Sequence, residues 1–178
     1  MPVVKQLFWG LQSLEAGESS RQEAFRRYAR EFNSLEISST YRRVPSLATV
    51  ARWRSQAPAG FRYSLVAPRV LSYQPSSKER RALRRFLRRA QALGPALGAI
   101  RFVVPPGQGQ ELAAWLLFLP PGQFAFSLDA ELAPYVCQAG HTVVNGPGSF
   151  QYLIDPTSDP SQVEGYAYFS SRALVNVQ

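Results

Sequence analysis

The sequence predicts an α/β fold, a TIM-like (β/α) barrel shortened or incomplete in its last third, and three observations predict it. Strand-like apolar runs and helical periodicity take turns along the chain from its start. Eight strand candidates follow one another, the first five each succeeded by a helical pattern, which is the signature of βαβ units and a parallel sheet. The chain has 178 residues, below the roughly 200 that complete barrels occupy.

VVKQLFWG (3–10) reads as the first strand. Ser19 or Ser20 caps a helix that runs to about Phe32, with Glu23 three residues after Ser20 as in a capping box. SLEISST (34–40) is a strand, and SLATVARWRSQ (46–56) is a helix entered after Pro45 and ended before Pro58. FRYSLVAP (61–68) is the third strand. Ser76 or Ser77 opens an Arg-rich helix that reaches about Leu93 and stops at Gly94-Pro95. AIRFVVPP (99–106), QELAAWLLFL (110–119) and FAFSLD (124–129) follow as strand, helix and strand, then a short helix near 130–138. HTVVN (141–145), QYLID (151–155) and GYAYFS (165–170) are the last strand candidates. Here the pattern falters. Only Gly146 to Phe150 separate two of them, whereas a parallel crossover takes a dozen or more residues. Asn145-Gly146-Pro147-Gly148 reads as a turn instead.

Composition bounds the class. Hydrophobic residues make up 46% and charged residues 18%, the balance of one globular domain over residues 1–178 rather than a disordered chain. The lone Cys137 forms no internal disulfide, and no Cys/His group has metal-ligand spacing, so neither a metal nor another cofactor is expected. The N-terminus lacks the apolar core of a signal peptide, and the uncharged run 112–128 is broken by Pro120-Pro121-Gly122. The expectation is a cytoplasmic protein with no membrane partner. Oligomeric state is not legible. The net charge of +8 rests on 18 Arg against 2 Lys. Lys78 with Arg80, Arg81, Arg84, Arg85, Arg88 and Arg89, less Glu79, supplies +6 of it. The basicity is therefore local to one helix.

Several segments resemble the YecE-like barrel family, a bacterial and archaeal domain of unknown function (domain of unknown function 72). They are FNSLEISSTYRRVPS, TVARWRSQAPAGFRYSLVAPRV, LGPALGAIRFVVPP, LPPGQFAFSLD and GYAYFSS, in that order. The resemblance implies a TIM-like barrel with a polar pocket at the strand C-termini. Comparison of the family's shape with barrel nucleases is an analogy of fold. The departures carry as much meaning. Glu36 and Arg69 match the family pattern, but Ser38 stands for its Asn, Arg42 for a Tyr, Val66 for a Lys, Tyr73 for a His and Val103 for a Gln. Where the fifth strand of the family ends in Glu-Phe-Arg-His, this chain has Ser127 to Ala130, and of the N-terminal Gly-Thr-Ser-Gly-Trp element only Trp9-Gly10 is near. Residue types suited to acid–base work or phosphate clamping are lost.

Two readings of function stay open. In the first the chain is a non-catalytic or altered binding module for an anionic partner such as nucleic acid. Its candidate surface is the stripe Arg80, Arg84, Arg88 beside Arg81, Arg85, Arg89, each row spanning roughly 12 Å at the helical rise. All six arginines are expected to face solvent, pointing away from the barrel mouth; a solvated outer helix is the plain alternative. In the second the chain is a hydrolase-type enzyme on a phosphorylated or nucleic-acid substrate, with Glu36 as catalytic base and Arg43 and Arg69 holding the anion at the mouth. Glu36 is the one acid in an otherwise apolar and hydroxyl-bearing strand, costly there unless paired or used. The structural alternative pairs it with Arg43 or Arg69. His141, Cys137 and the three tryptophans read as structural residues, and 145–149 as a turn rather than an anion-binding nest.

Overall fold

The computed structural model describes residues 6–12, 21–157, 159 and 162–170. Its strands are β1 (Leu7–Leu11), β2 (Ser34–Ile37), β3 (Arg62–Val66), β4 (Leu97–Val103), β5 (Phe124–Ser127), β6 (Thr142–Val143), β7 (Gln151–Ile154) and β8 (Gly165–Phe169). They form one sheet in the order β6-β5-β4-β3-β2-β1-β8-β7, every pair parallel. The first five are consecutive neighbours and the C-terminal strand returns beside β1, as the alternating pattern predicts. The chain is an α/β, TIM-like barrel, nearly closed and abbreviated in its last third.

Helices α1 (Arg21–Glu31), α2 (Leu47–Gln56), α3 (Ser77–Gln91), α4 (Glu111–Leu116) and α5 (Ala133–Gln138) make the crossovers. The side chains of Ser46 and Ser76 cap α2 and α3 by accepting from Thr49 N and Glu79 N. The expected cap of α1 at Ser19 or Ser20, and the start of the predicted first strand, lie outside the described residues.

Strand alternation sorts the side chains into two layers. Leu35, Tyr63, Leu65, Ile100, Phe102, Phe124 and Phe126 pack outward against Val50, Leu83, Phe86, Leu112 and Trp115 of the helices. A smaller inner cluster joins Phe8, Ala99, Ala125, Tyr152, Tyr166 and Tyr168. Small residues on β4 and β5 make room for the tyrosines of β7 and β8. The inner hydroxyls are satisfied: Tyr168 donates to Ser64 Oγ at 2.6 Å, and Tyr166 to Gln123 Oε1 at 2.8 Å. Gly10 is required on β1, since a Cβ there would lie 1.8 Å from Ser34 O and 2.3 Å from the Tyr28 hydroxyl. That hydroxyl accepts from Leu11 N at 2.7 Å and donates to Ser34 O, tying α1 to both strands.

Three expectations are corrected. The strand read over 34–40 ends at Ile37, and Ser38–Tyr41 form a 3₁₀ turn. The cause is Thr40, whose buried hydroxyl donates toward Ile37 O and Val66 O and accepts from Val66 N, replacing a strand partner with a side chain. The strand read over 141–145 shrinks to two residues. Finally, β6 and β7 lie in the same parallel sheet although only residues 144–150 join them. With so short a β6 the chain has little height to undo: Gly146 N bonds to Val143 O and Val143 N to Pro147 O, so the turn folds straight back down.

No strand ladder joins β6 to β7. Asn145 spans the gap with its side chain: Nδ2 donates to Ile154 O at 3.2 Å and Oδ1 accepts from Ile154 N at 2.8 Å, while its own N–H reaches Tyr152 O at 3.0 Å. The side-chain amide stands in for a missing peptide group. Asn145 holds the left-handed φ of 55° that this requires, a conformation Asn tolerates better than most residues. Because the N–H groups of Asn145 and Gly146 are both spent inside the fold, the turn is not an anion nest.

Candidate functional site

Glu36 lies at the top of the inner layer and is 0% exposed. Each of its oxygens takes two hydrogen bonds. Oε1 accepts from Arg101 Nη2 at 2.8 Å and Gln12 Nε2 at 3.2 Å. Oε2 accepts from Arg101 Nε at 2.9 Å and from the Tyr152 hydroxyl. The arginine is bidentate, the strongest arrangement such a pair adopts, and the carboxylate's four acceptor positions are filled. Burial works to lower the Arg101 pKa, but its hydrogen bonds and attraction to Glu36 outweigh that, so the net shift is upward. Burial, then the Glu36 charge, pushes the Tyr152 hydroxyl well above its ordinary range.

The partner is thus neither Arg43 nor Arg69, which corrects the expected pairing. The 3₁₀ turn after Ile37 carries Arg43 over the rim to the outer surface, where it is exposed. Arg69 is exposed too, its N–H bonded to Tyr41 O at 2.9 Å. Arg101 escaped the sequence reading, although the signal was present: it is the one charge in the apolar strand LGAIRFV, as Glu36 is in SLEI. At the mouth Arg101 Nη1 approaches Ser127 Oγ at 3.4 Å, and the side chain keeps 13% exposure.

A second buried carboxylate was also missed. Glu79, at the third position of α3, accepts from Ser72 N, Tyr73 N, Ser72 Oγ and Trp115 Nε1. It pins the loop that holds Tyr73 at a left-handed φ of 57°. Ser76-x-x-Glu79 is the capping-box spacing that announces it. His141 sits between Phe124 and Phe126, ring centroids 5.4 and 5.8 Å away, and burial lowers its pKa. Cys137 is half-buried, and Trp115 fully so. Among the described residues no group of His, Cys, Asp and Glu is placed to hold a metal ion, and no helix is long and apolar enough to cross a membrane.

Outside the barrel the charges are arranged differently. Arg81, Arg84, Arg85, Arg88 and Arg89 with Leu47 line a cleft of about 540 Å³ beside α2. Arg85 and Arg89 also line a neighbouring groove of about 1180 Å³ that passes Arg52 and Trp53 and reaches Ser38, Ser39 and Arg43. The two spaces therefore share Arg85 and Arg89 in their walls. Arg80 stands apart, its guanidinium 4.4 Å from the Phe118 ring centre. The stripe differs from expectation in two respects: Arg89 is half-buried rather than solvent-facing, and the groove connects α3 to the rim residues beyond β2. Among the described residues, Glu36 is the one acid along this path, and its carboxylate is turned inward to Arg101.

Comparisons with known proteins bear on the family and the fold. The family described as "Protein of unknown function DUF72" matches over residues 9–128. The UPF0759 protein YecE of Escherichia coli K12 is 33% identical over 106 residues, covering 57% of this chain and 39% of YecE. The chain thus matches about two fifths of the length of that curated relative. A DUF72 protein of Thermotoga maritima shares the fold with TM-score 0.67 at 12% identity, over 96% of this chain and 95% of that one. One from Enterococcus faecalis gives 0.65 at 12%, over 93% and 90%. D-Psicose 3-epimerase of Clostridium cellulolyticum gives 0.58 at 10%, over 92% and 84%, a likeness of barrel alone. The matched region ends where β5 ends, and beyond it lie the clipped β6 and the Asn145 seam. With eight parallel strands and the family's sequence over its first five, this chain belongs to the DUF72 family.

Proposed function

We propose that this protein is a binding module for an anionic partner, with nucleic acid as the class its charge pattern favours, and that its barrel interior is structural. One observation carries the reading: five arginines line one cleft while no carboxylate among the described residues neutralises them. Clustered like charges repel, so a fold keeps them most readily where a counter-charge arrives from outside. Arginine also presents its fork of donors to phosphate oxygens.

The other reading, a hydrolase at the barrel mouth, draws on the convergence of Gln12, Arg101 and Ser127 above Glu36. It is the weaker one. A general base needs a lone pair turned toward its substrate, and both Glu36 oxygens are fully engaged.

The test is a salt titration of fluorescently labelled DNA binding, for the native chain and for Arg81→Gln, Arg85→Gln, Arg89→Gln combined. Loss of three phosphate contacts flattens the log–log salt slope by about 0.7–0.9 per contact. An identical slope, or no binding at low salt, rules the reading out.

A further inference from the structure

The cleft beside α3 shares Arg85 and Arg89 with the larger groove, whose walls also include Arg52, Trp53, Arg43, Ser38 and Ser39. From these shared walls we infer that the two spaces together hold a single nucleic-acid strand, running from the face of α3 to the rim of the barrel beyond β2. The inference rests on the proposed anion binding and names its ligand and its path.

Three features separate a single strand from a duplex. The arginines lie along the walls of clefts lined by α2 and α3, rather than on one convex face. A flexible strand follows such a path, whereas a duplex is a stiff rod whose phosphates meet only the ridges. The charges are also spread along a track instead of clustering at one point: Arg81, Arg85 and Arg89 take one helix, Arg52 the next, and Arg43 the loop before it. Finally, the half-buried Trp53 lines the same groove as Arg85, Arg89, Arg52 and Arg43. Alternation of cationic groups with an aromatic face is how sequence-tolerant single-strand sites hold phosphates and bases together. Ser38, Ser39 and Thr49 add neutral donors along the same wall, suited to phosphate and sugar oxygens.

Arg43 and Arg52 discriminate the path, because neither lines the first cleft. Both are exposed, so replacing them leaves the fold in place, which far-UV circular dichroism checks. The experiment measures affinity against salt for labelled oligothymidylate, for the same strand annealed to oligodeoxyadenylate, and for inorganic polyphosphate. The proteins are the native chain, Arg43→Gln/Arg52→Gln, and the charge-retaining Arg43→Lys/Arg52→Lys. The single strand is expected to bind more tightly than the duplex. Its salt slope should fall by about 1.4 in the glutamine variant, two contacts at roughly 0.7 each for a single strand, and recover in the lysine variant. Polyphosphate, which has no bases to stack, should bind more weakly than the oligonucleotide. If duplex and single strand bind equally and the glutamine variant keeps its slope, the strand path is overturned while anion binding on α3 survives. Polyphosphate binding as tightly as oligonucleotide overturns the role of Trp53 and the nucleic-acid class together. No binding of any probe overturns both proposals.

Discussion

Inside the barrel, Arg101 meets Glu36 with two parallel hydrogen bonds, whereas along the outer groove Arg81, Arg85 and Arg89 meet no carboxylate among the described residues. The same residue type is thus used in two ways. In the dry interior a lone charge costs several kcal/mol, so the chain supplies a matched partner and fills the remaining lone pairs with Gln12 and Tyr152. At the surface water screens the charge, and no carboxylate among the described residues meets it. Matching marks architecture here, and on the proposed reading mismatch marks a recognition surface.

The largest effect should come from unmatching the interior. Arg101→Met leaves Glu36 buried without its cation and should cost about 3–5 kcal/mol, a fall in melting temperature of roughly 10 °C for a chain of this size. Adding Glu36→Leu to Arg101→Met should recover part of that loss in the same melting experiment. A double variant less stable than the single one would show that the pair contributes more than charge compensation.

Alkali attacks both layers of the core, Tyr152, Tyr166 and Tyr168 inside and Tyr28, Tyr63 and Tyr73 outside. Burial raises the hydroxyl pKa of Tyr28, Tyr63, Tyr73, Tyr152, Tyr166 and Tyr168, that of Tyr166 to about 12. Unfolded tyrosines lose their protons near pH 10. The folded state therefore holds more protons between about pH 10 and 12, and stability that is complete below that window is lost as pH rises through it. Phenolate absorbance and circular dichroism should change together; early ionisation of these six in a folded chain would contradict their burial.

A smaller effect tests the seam. Asn145→Ala removes both hydrogen bonds to Ile154 and should cost about 1–2 kcal/mol, with amide exchange at Ile154 accelerating more than that of β2 or β3. Equal acceleration everywhere would mean that the barrel opens only as a whole.

The contrast between seam and ladder also explains what the sequence made legible. Alternation on β1 to β5, Pro45 ahead of α2 and the serines that open α3 are local signals, and they placed the parallel order and the helices, while the chain length and the 146–150 turn pointed to the shortened back third. The pairing of Glu36 with Arg101 is set by β2, β3 and β4 lying side by side, with Glu36 level with Ser64 and Arg101 level with Val66. Such a pairing joins residues distant in sequence. Arg43 was the nearer candidate along the chain, but Thr40 turns the backbone away before Arg43 can face inward. The parallel return through 144–150 was hidden because crossover lengths assume strands of ordinary length, and β6 has two residues.

The outer arginines should give the smallest stability effect of all. Arg81→Gln, Arg85→Gln and Arg89→Gln together should change unfolding free energy by about 0.5 kcal/mol per site or less, as expected for side chains that meet no carboxylate among the described residues. This separates the two regions in one experiment: melting temperature and DNA affinity measured side by side for Arg101→Met and for the triple glutamine variant, binding being read well below either transition. The account predicts a crossed result, in which Arg101→Met melts early yet binds with native affinity and salt slope, while the triple variant melts like the native chain and loses affinity. Native binding by the triple variant, or lost binding by a folded Arg101→Met, would contradict the assignment of the interior to architecture and the groove to recognition.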